Sequence, residues 1–223
     1  MRADAPQLYR WVLERKARLA LTCVILIFLG AGAYGATIGA WRSALQALYT
    51  GIKLPLVFLM TSLGNGLLNG MLAPLLGLDI SFRQSLLCVL VSFTFAAVIL
   101  GSLSPVAAFL VWNTPPFSVA TALGSPEYAL LQIMLAAFVA VAGVAANLRL
   151  FPILCEWSAS RQTARNVLLA WLAGNLFLGS QICWVMRPFI WDPSGTSAFI
   201  GRQYWNGSFY ETLFEAIRRL LVW

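Results

Sequence analysis

Histidine is absent from all 223 residues. That removes imidazole zinc and iron sites, axial haem ligation, Ser-His-Asp and Cys-His relays, and a histidine pH sensor. Charge is scarce as well: Asp, Glu, Lys and Arg make up 10% of the chain, against about a quarter in ordinary soluble domains. With 60% hydrophobic residues and a mean hydropathy of +0.79, a water-soluble shell cannot be built. The chain therefore reads as an integral membrane protein, and soluble-enzyme and nucleic-acid-binding classes drop out. Its net charge of +7 fits bases gathered beside membrane spans, where they set topology and meet anionic lipid. Cys23, Cys88, Cys155 and Cys183 stand singly, with no CxxC pair, and read as small packing residues. Cys155, near an expected membrane edge, is also open to acylation.

Carboxylates are the third scarcity. Asp4, Glu14, Asp79, Glu127, Glu156, Asp192, Glu211 and Glu215 are the whole set, and all fall outside the expected hydrocarbon layer. Ion-coupled transporters generally carry such a group at mid-membrane, and aspartyl chemistry or a carboxylate metal site needs several together. A non-enzymatic protein without a cofactor is the expectation.

What the chain has instead is apolar runs. A helix needs about 20 apolar residues to cross about 30 Å of hydrocarbon. Five stretches lack any charge: Arg18 to Arg42, Lys53 to Asp79, Arg83 to Glu127, Glu127 to Arg149, and Arg165 to Arg187. They predict spans at 19–41, 54–77, 84–112, 128–148 and 166–187. The third stretch is interrupted by Pro105 and by Asn113-Thr114-Pro115-Pro116. It reads as one long or kinked helix ending near Trp112 and followed by an outer loop, with a span plus a re-entrant piece as the alternative. The run of 19–29 followed by small residues resembles a signal peptide, but the apolar stretch continues to Trp41, which favours a retained helix.

The expected fold is an all-α polytopic bundle, one membrane domain over 1–223. In 1–18, Leu8, Trp11 and Val12 share one side among several bases, which suits a cytoplasmic helix lying on anionic headgroups. In 206–223, after a turn at 192–195, Asn206-Gly207-Ser208 reads as a helix start. Phe209, Tyr210, Leu213, Phe214, Ile217, Leu220 and Leu221 then recur at three-and-four spacing opposite Glu211, Glu215, Arg218 and Arg219. This amphipathic helix is expected along the outer interface or against another subunit. Placing the N-terminus inside leaves Arg42, Lys53, Arg187, Arg202, Arg218 and Arg219 outside and the other nine bases inside. By the positive-inside rule this predicts a cytoplasmic N-terminus and an external C-terminus in a bacterial inner membrane. Trp41, Trp112, Trp157 and Trp191 fall at the expected span ends, where indoles suit the headgroup layer.

Three groups of residues are the candidates for function. Gly64-Asn65-Gly66-Leu67-Leu68-Asn69-Gly70 sits mid-span between Pro55 and Pro74. Asn65 and Asn69 share a face and either line a polar path or hydrogen-bond across a contact that Gly66 and Gly70 make close. Ala31, Gly35 and Gly39 form a small-residue ladder, serving either an oligomer face or an internal contact. Lys53, Trp184 and Arg187 stand at expected membrane edges as lipid or partner contacts. Asn147, Asn175 and Gln181 read as interhelical glue.

Lys53-Leu54-Pro55-Leu56, Ser81-Phe82-Arg83-Gln84, Leu103-Ser104-Pro105 and Arg187-Pro188-Phe189 resemble segments of bacterial Yip1-like membrane proteins over about 45–220. The resemblance implies a helical membrane organiser or adaptor rather than a catalyst. The chain departs from that family in its very short N-terminal region and its added C-terminal helix. The leading expectation is a scaffold or subunit, as a homo-oligomer or within a larger complex, with membrane lipids as partners. The alternative is an oligomeric pore or lipid-handling channel using the Asn/Gly-rich second span.

Overall fold

A computed structural model describes residues 16–78, 80–116, 118, 126–186, 199 and 208–221. Seven helices follow one another, with no strand among the described residues: α1 Lys16–Gly39, α2 Ala44–Leu75, α3 Phe82–Asn113, α4 Pro126–Leu148, α5 Phe151–Trp157, α6 Arg161–Met186 and α7 Phe209–Leu221. Five stretches are long and apolar enough to cross a membrane: α1, α2, α3, α4 continued through α5, and α6. The protein is thus an all-α polytopic bundle. The N-terminal interfacial segment, the turn at 192–195, Arg187 and Trp191 lie outside the described residues.

Local chemistry sets the helix ends. Ser43 caps α2, its hydroxyl accepting from the Gln46 amide. Ser81 and Gln84 form a reciprocal capping box at α3, and Ser208 and Glu211 pair in the same way at α7. After α2 the chain reverses through Gly77, whose φ of +81° is one that only glycine adopts cheaply. The Leu78 amide closes that turn on the Ala73 carbonyl. Pro105 lies within a single helix α3, so the third apolar stretch is one unbroken helix as far as Asn113, and most of the segment from there to Glu127 lies outside the described residues.

The second span departs from expectation at its entry. Helix α2 begins at Ala44 rather than near 54 and runs straight through Lys53 and Pro55. Ser43 supplies a start signal that precedes the lysine, and a lone cation does not stop a helix once its head is buried. Lys53 is 1% exposed, with its ammonium 5.1 Å from the centre of the Phe199 ring. It is therefore not the lipid-facing edge residue that its charge suggested. Trp184 is likewise buried, its surface covered by protein rather than by headgroups.

Helices α1, α2 and α3 form the tightest part of the bundle, because glycines remove the side chains that would hold them apart. A Cβ on Gly35 would lie 2.5 Å from the Thr50 carbonyl oxygen, and one on Gly39 2.5 Å from that of Gln46. On another face of α1, Gly30 meets the backbone of Ala97, while Gly101 of α3 meets Gly30. Ala31 is fully buried beside them. The Ala31-Gly35-Gly39 ladder is therefore an internal seam. Tyr34 reaches across to α4, donating to the Leu135 carbonyl at 3.1 Å. Trp41 stacks on Tyr128 at 5.3 Å and donates to Pro115, so this indole ties the loop after α3 to the bundle instead of facing headgroups. Trp112, 86% exposed, does face outward. A second core, around Leu150, Leu154 and Trp171, packs α5 and α6 against the ends of α2 and α3.

Candidate functional site: an apolar cavity with an asparagine floor

Helix α2 presents two faces to two neighbours. Its glycines face α3: Gly66 receives Leu86, Gly70 receives Phe82, and the Ser85 hydroxyl donates to the Gly66 carbonyl. Its asparagines face α6. The Asn65 amide donates to Asn175 Oδ1, and the Asn175 amide donates in turn to Asn147 Oδ1 at 2.9 Å. Asn147 then donates to the Gly143 carbonyl of its own helix at 2.8 Å. A chain of three side-chain amides thus crosses α2, α6 and α4 at one level. Asn65 and Asn69 are both buried within a single chain, with their Oδ1 atoms converging on Gly174. Asn65 Oδ1, both polar atoms of Asn69 and Trp171 Nε1 have no hydrogen-bond partner. A contact closed by glycines and asparagines together is therefore split, Gly66 and Gly70 serving α3 while Gly64 and the asparagines serve α6.

Outward of this level the bundle opens. Helices α4 and α6 touch each other over a short stretch, while α7 packs on both. The Tyr210 hydroxyl accepts from Ser180 Oγ at 2.9 Å and donates to the Leu176 carbonyl at 3.4 Å. Tyr210, Leu213 and Ile217, on one face of α7, line one side of a half-open cavity of about 640 Å3 whose other walls come from α2, α3, α4 and α6. Glu211 and Arg218 are exposed on α7, and Arg218 pairs with Glu215 at 3.0 Å. The amphipathic helix expected along the interface or against another subunit is thus docked on its own chain. At 13 residues it measures about 20 Å, too short to span a bilayer.

Apart from its asparagine floor the cavity is lined almost wholly by apolar groups, among them Leu54, Phe58, Phe93 and Leu172, and among the described residues no Asp, Glu, Lys or Arg contributes to it. Its lining runs along α4 from Gln132 to Asn147, roughly 22 Å at about 1.5 Å per residue. Comparison with family models, curated proteins and solved structures finds no match. The site's own chemistry must therefore carry the functional reading. Sequence reasoning picked out Asn65, Asn69, Asn147 and Asn175 but missed the cavity that Asn147 and Asn175 floor, as well as Thr61 and Ser92 on its wall. Only the rotational setting of four helices brings those residues to one surface. Gln181 makes none of the amide contacts of this chain.

Proposed function

We propose that this protein is a non-catalytic, multi-pass membrane protein that holds one lipid-like molecule inside its bundle. It would act as a lipid-handling subunit of a bacterial inner membrane, N-terminus inside. The observation that carries this reading is the cavity. A half-open, almost wholly apolar space of about 640 Å3 costs free energy while water fills it, because its apolar lining then stays hydrated. Water is a poor filler, because each buried water wants two to four polar partners and this lining offers few. A molecule drawn from the membrane fits better. The volume falls within the roughly 300–1,000 Å3 of small-molecule sites. The run of roughly 22 Å along α4 leaves room for one extended lipid tail, since a single leaflet contributes about 15 Å of hydrocarbon.

The scaffold reading leans on the small-residue ladder of α1, and those glycines are already engaged with α2, which favours the lipid-holding reading. The likeness to Yip1-like proteins enters this proposal as an expectation of membrane organisation rather than catalysis. A larger assembly, homomeric or with other subunits, is compatible with it. The test is gentle extraction followed by native mass spectrometry. The wild-type protein is expected to carry a membrane-derived apolar molecule in near-stoichiometric amount. Gly143→Phe, which projects a ring into the cavity from a position where a Cβ meets nothing within 4 Å, is expected to lose it while keeping its helicity. Protein that carries no such molecule, or a variant that carries it undiminished, refutes the proposal.

A further inference from the structure

Hydroxyls inside membrane helices normally bond to a carbonyl one turn back on their own helix. Ser62 does so to Phe58 at 2.7 Å and Thr94 to Leu90 at 2.8 Å. Their near neighbours do not: Thr61 Oγ1 and Ser92 Oγ, in residues 0% and 1% exposed, have no partner at all. Both residues line the cavity. They also stand at one depth. Helices α2 and α3 run antiparallel with Gly70 against Phe82 and Gly66 against Leu86, and about two turns further along the rings of Phe58 and Phe93 meet edge to face at 5.3 Å. That register sets Thr61 beside Ser92. Gly179 of α6, also in the lining, stands at this level, where a Cβ would lie 3.4 Å from the Thr61 methyl.

A buried hydroxyl without a partner is costly, and two on adjacent helices, each in a residue that lines the same apolar space, make a pair of donors waiting for an acceptor. We infer that the cavity selects neutral long-chain molecules that carry an uncharged oxygen acceptor, such as an ester or ketone carbonyl, which Thr61 and Ser92 hydrogen-bond at mid-depth. A charged headgroup is excluded at that point. Among the described residues no charged side chain lines the cavity, and an unpaired ion at such depth is expensive. Lys53 does not supply a countercharge, because Leu54 rather than Lys53 faces the cavity and the ammonium is turned toward Phe199. A plain hydrocarbon would fill the same volume but leave both hydroxyls unsatisfied.

This inference rests on the lipid-holding reading and is tested so that the two fail separately. The full-length protein in dodecylmaltoside is titrated with methyl palmitate and, in parallel, with heptadecane, a chain of similar length without oxygen. Binding is read from the rise in thermal midpoint. Two neutral hydrogen bonds predict that wild type binds the ester at least about tenfold more tightly than the alkane. Thr61→Val/Ser92→Ala is expected to bring that ratio to about one while leaving the midpoint without probe unchanged or raised, since neither hydroxyl has a partner to lose. Equal affinities in wild type, or a preference for the ester that survives the double substitution, overturn the inference while alkane binding leaves the cavity reading intact. If neither probe shifts wild type, the cavity reading fails and the inference with it.

Discussion

Replacing glycine by alanine at two places in this bundle should change stability in opposite directions, because one glycine is pressed against a neighbouring backbone and the other faces open space. In a helix the substitution alone gains about 1 kcal/mol of conformational entropy and propensity. At Gly143 that gain is unopposed, since a Cβ there meets nothing within 4 Å. Gly143→Ala should stabilise the protein by roughly 0.5–1 kcal/mol. At Gly35 the new methyl would sit 2.5 Å from the Thr50 carbonyl oxygen and 3.2 Å from Leu54 Cβ. The helices must then separate by most of an ångström, and a gap of that size forfeits about a quarter to a half of each dispersion well along the seam. Overpacking of this kind costs typically 1–3 kcal/mol, so after the propensity gain Gly35→Ala should lose about 1–2 kcal/mol. The two variants should therefore differ by about 2–3 kcal/mol, or roughly 30- to 140-fold in the unfolding equilibrium. Reversible sodium dodecyl sulfate titration in dodecylmaltoside micelles, followed by far-UV circular dichroism, resolves that difference. A Gly35→Ala protein as stable as wild type would refute the close approach of α1 and α2. A loss of stability at Gly143→Ala would show that this wall does not face a cavity.

Two further outcomes follow from the polar contacts. Asn175→Leu removes both the bond from Asn65 and the bond to Asn147; at about 0.6 kcal/mol per interhelical bond, plus the cost of stranding the partners, it should destabilise by roughly 2 kcal/mol. Adding Asn65→Leu should cost less than its effect in wild type, and strict additivity would sink the idea of a continuous amide chain. Tyr210→Phe deletes the hydroxyl that joins α7 to Ser180 and Leu176, worth about 1 kcal/mol. Amide hydrogen exchange across 209–221 should accelerate about fivefold, and unchanged protection would mean that α7 is held by its apolar face alone.

The spans were legible because the membrane imposes a length and a composition that no other element of the chain shares. The capping signals were legible for a similar reason: Ser81-Phe82-Arg83-Gln84 and Ser208 with Glu211 are local patterns whose geometry is complete within one turn. Lys53 misled because charge was taken as a marker of the membrane edge. Inside a bundle that marker fails, since neighbouring helices can cover a lysine and an aromatic ring can face its ammonium. The glycines and asparagines of α2 were visible as unusual residues, yet their assignment to neighbours was not. Asn65 and Gly66 are adjacent in sequence and about 100° apart around the helix, so one residue of rotation decides which of them meets α3 and which meets α6.

The cavity has a different origin, and it explains why an amphipathic seventh helix belongs to this chain. Five spans joined by short turns pack well where glycines let them, as α1, α2 and α3 do. Helices α4 and α6 touch over a short stretch and are joined by the Asn147–Asn175 bond at one level. Outward of that bond they diverge, and the gap would admit lipid sideways along its whole length. Tyr210, Leu213 and Ile217 wall it off with one apolar face, while Glu211 and Arg218 keep the opposite face compatible with water or headgroups. An apolar face with an obvious period says only that some apolar surface must receive it. Which surface receives it depends on where the bundle fails to close, and that is a property of the packed helices together rather than of any one segment.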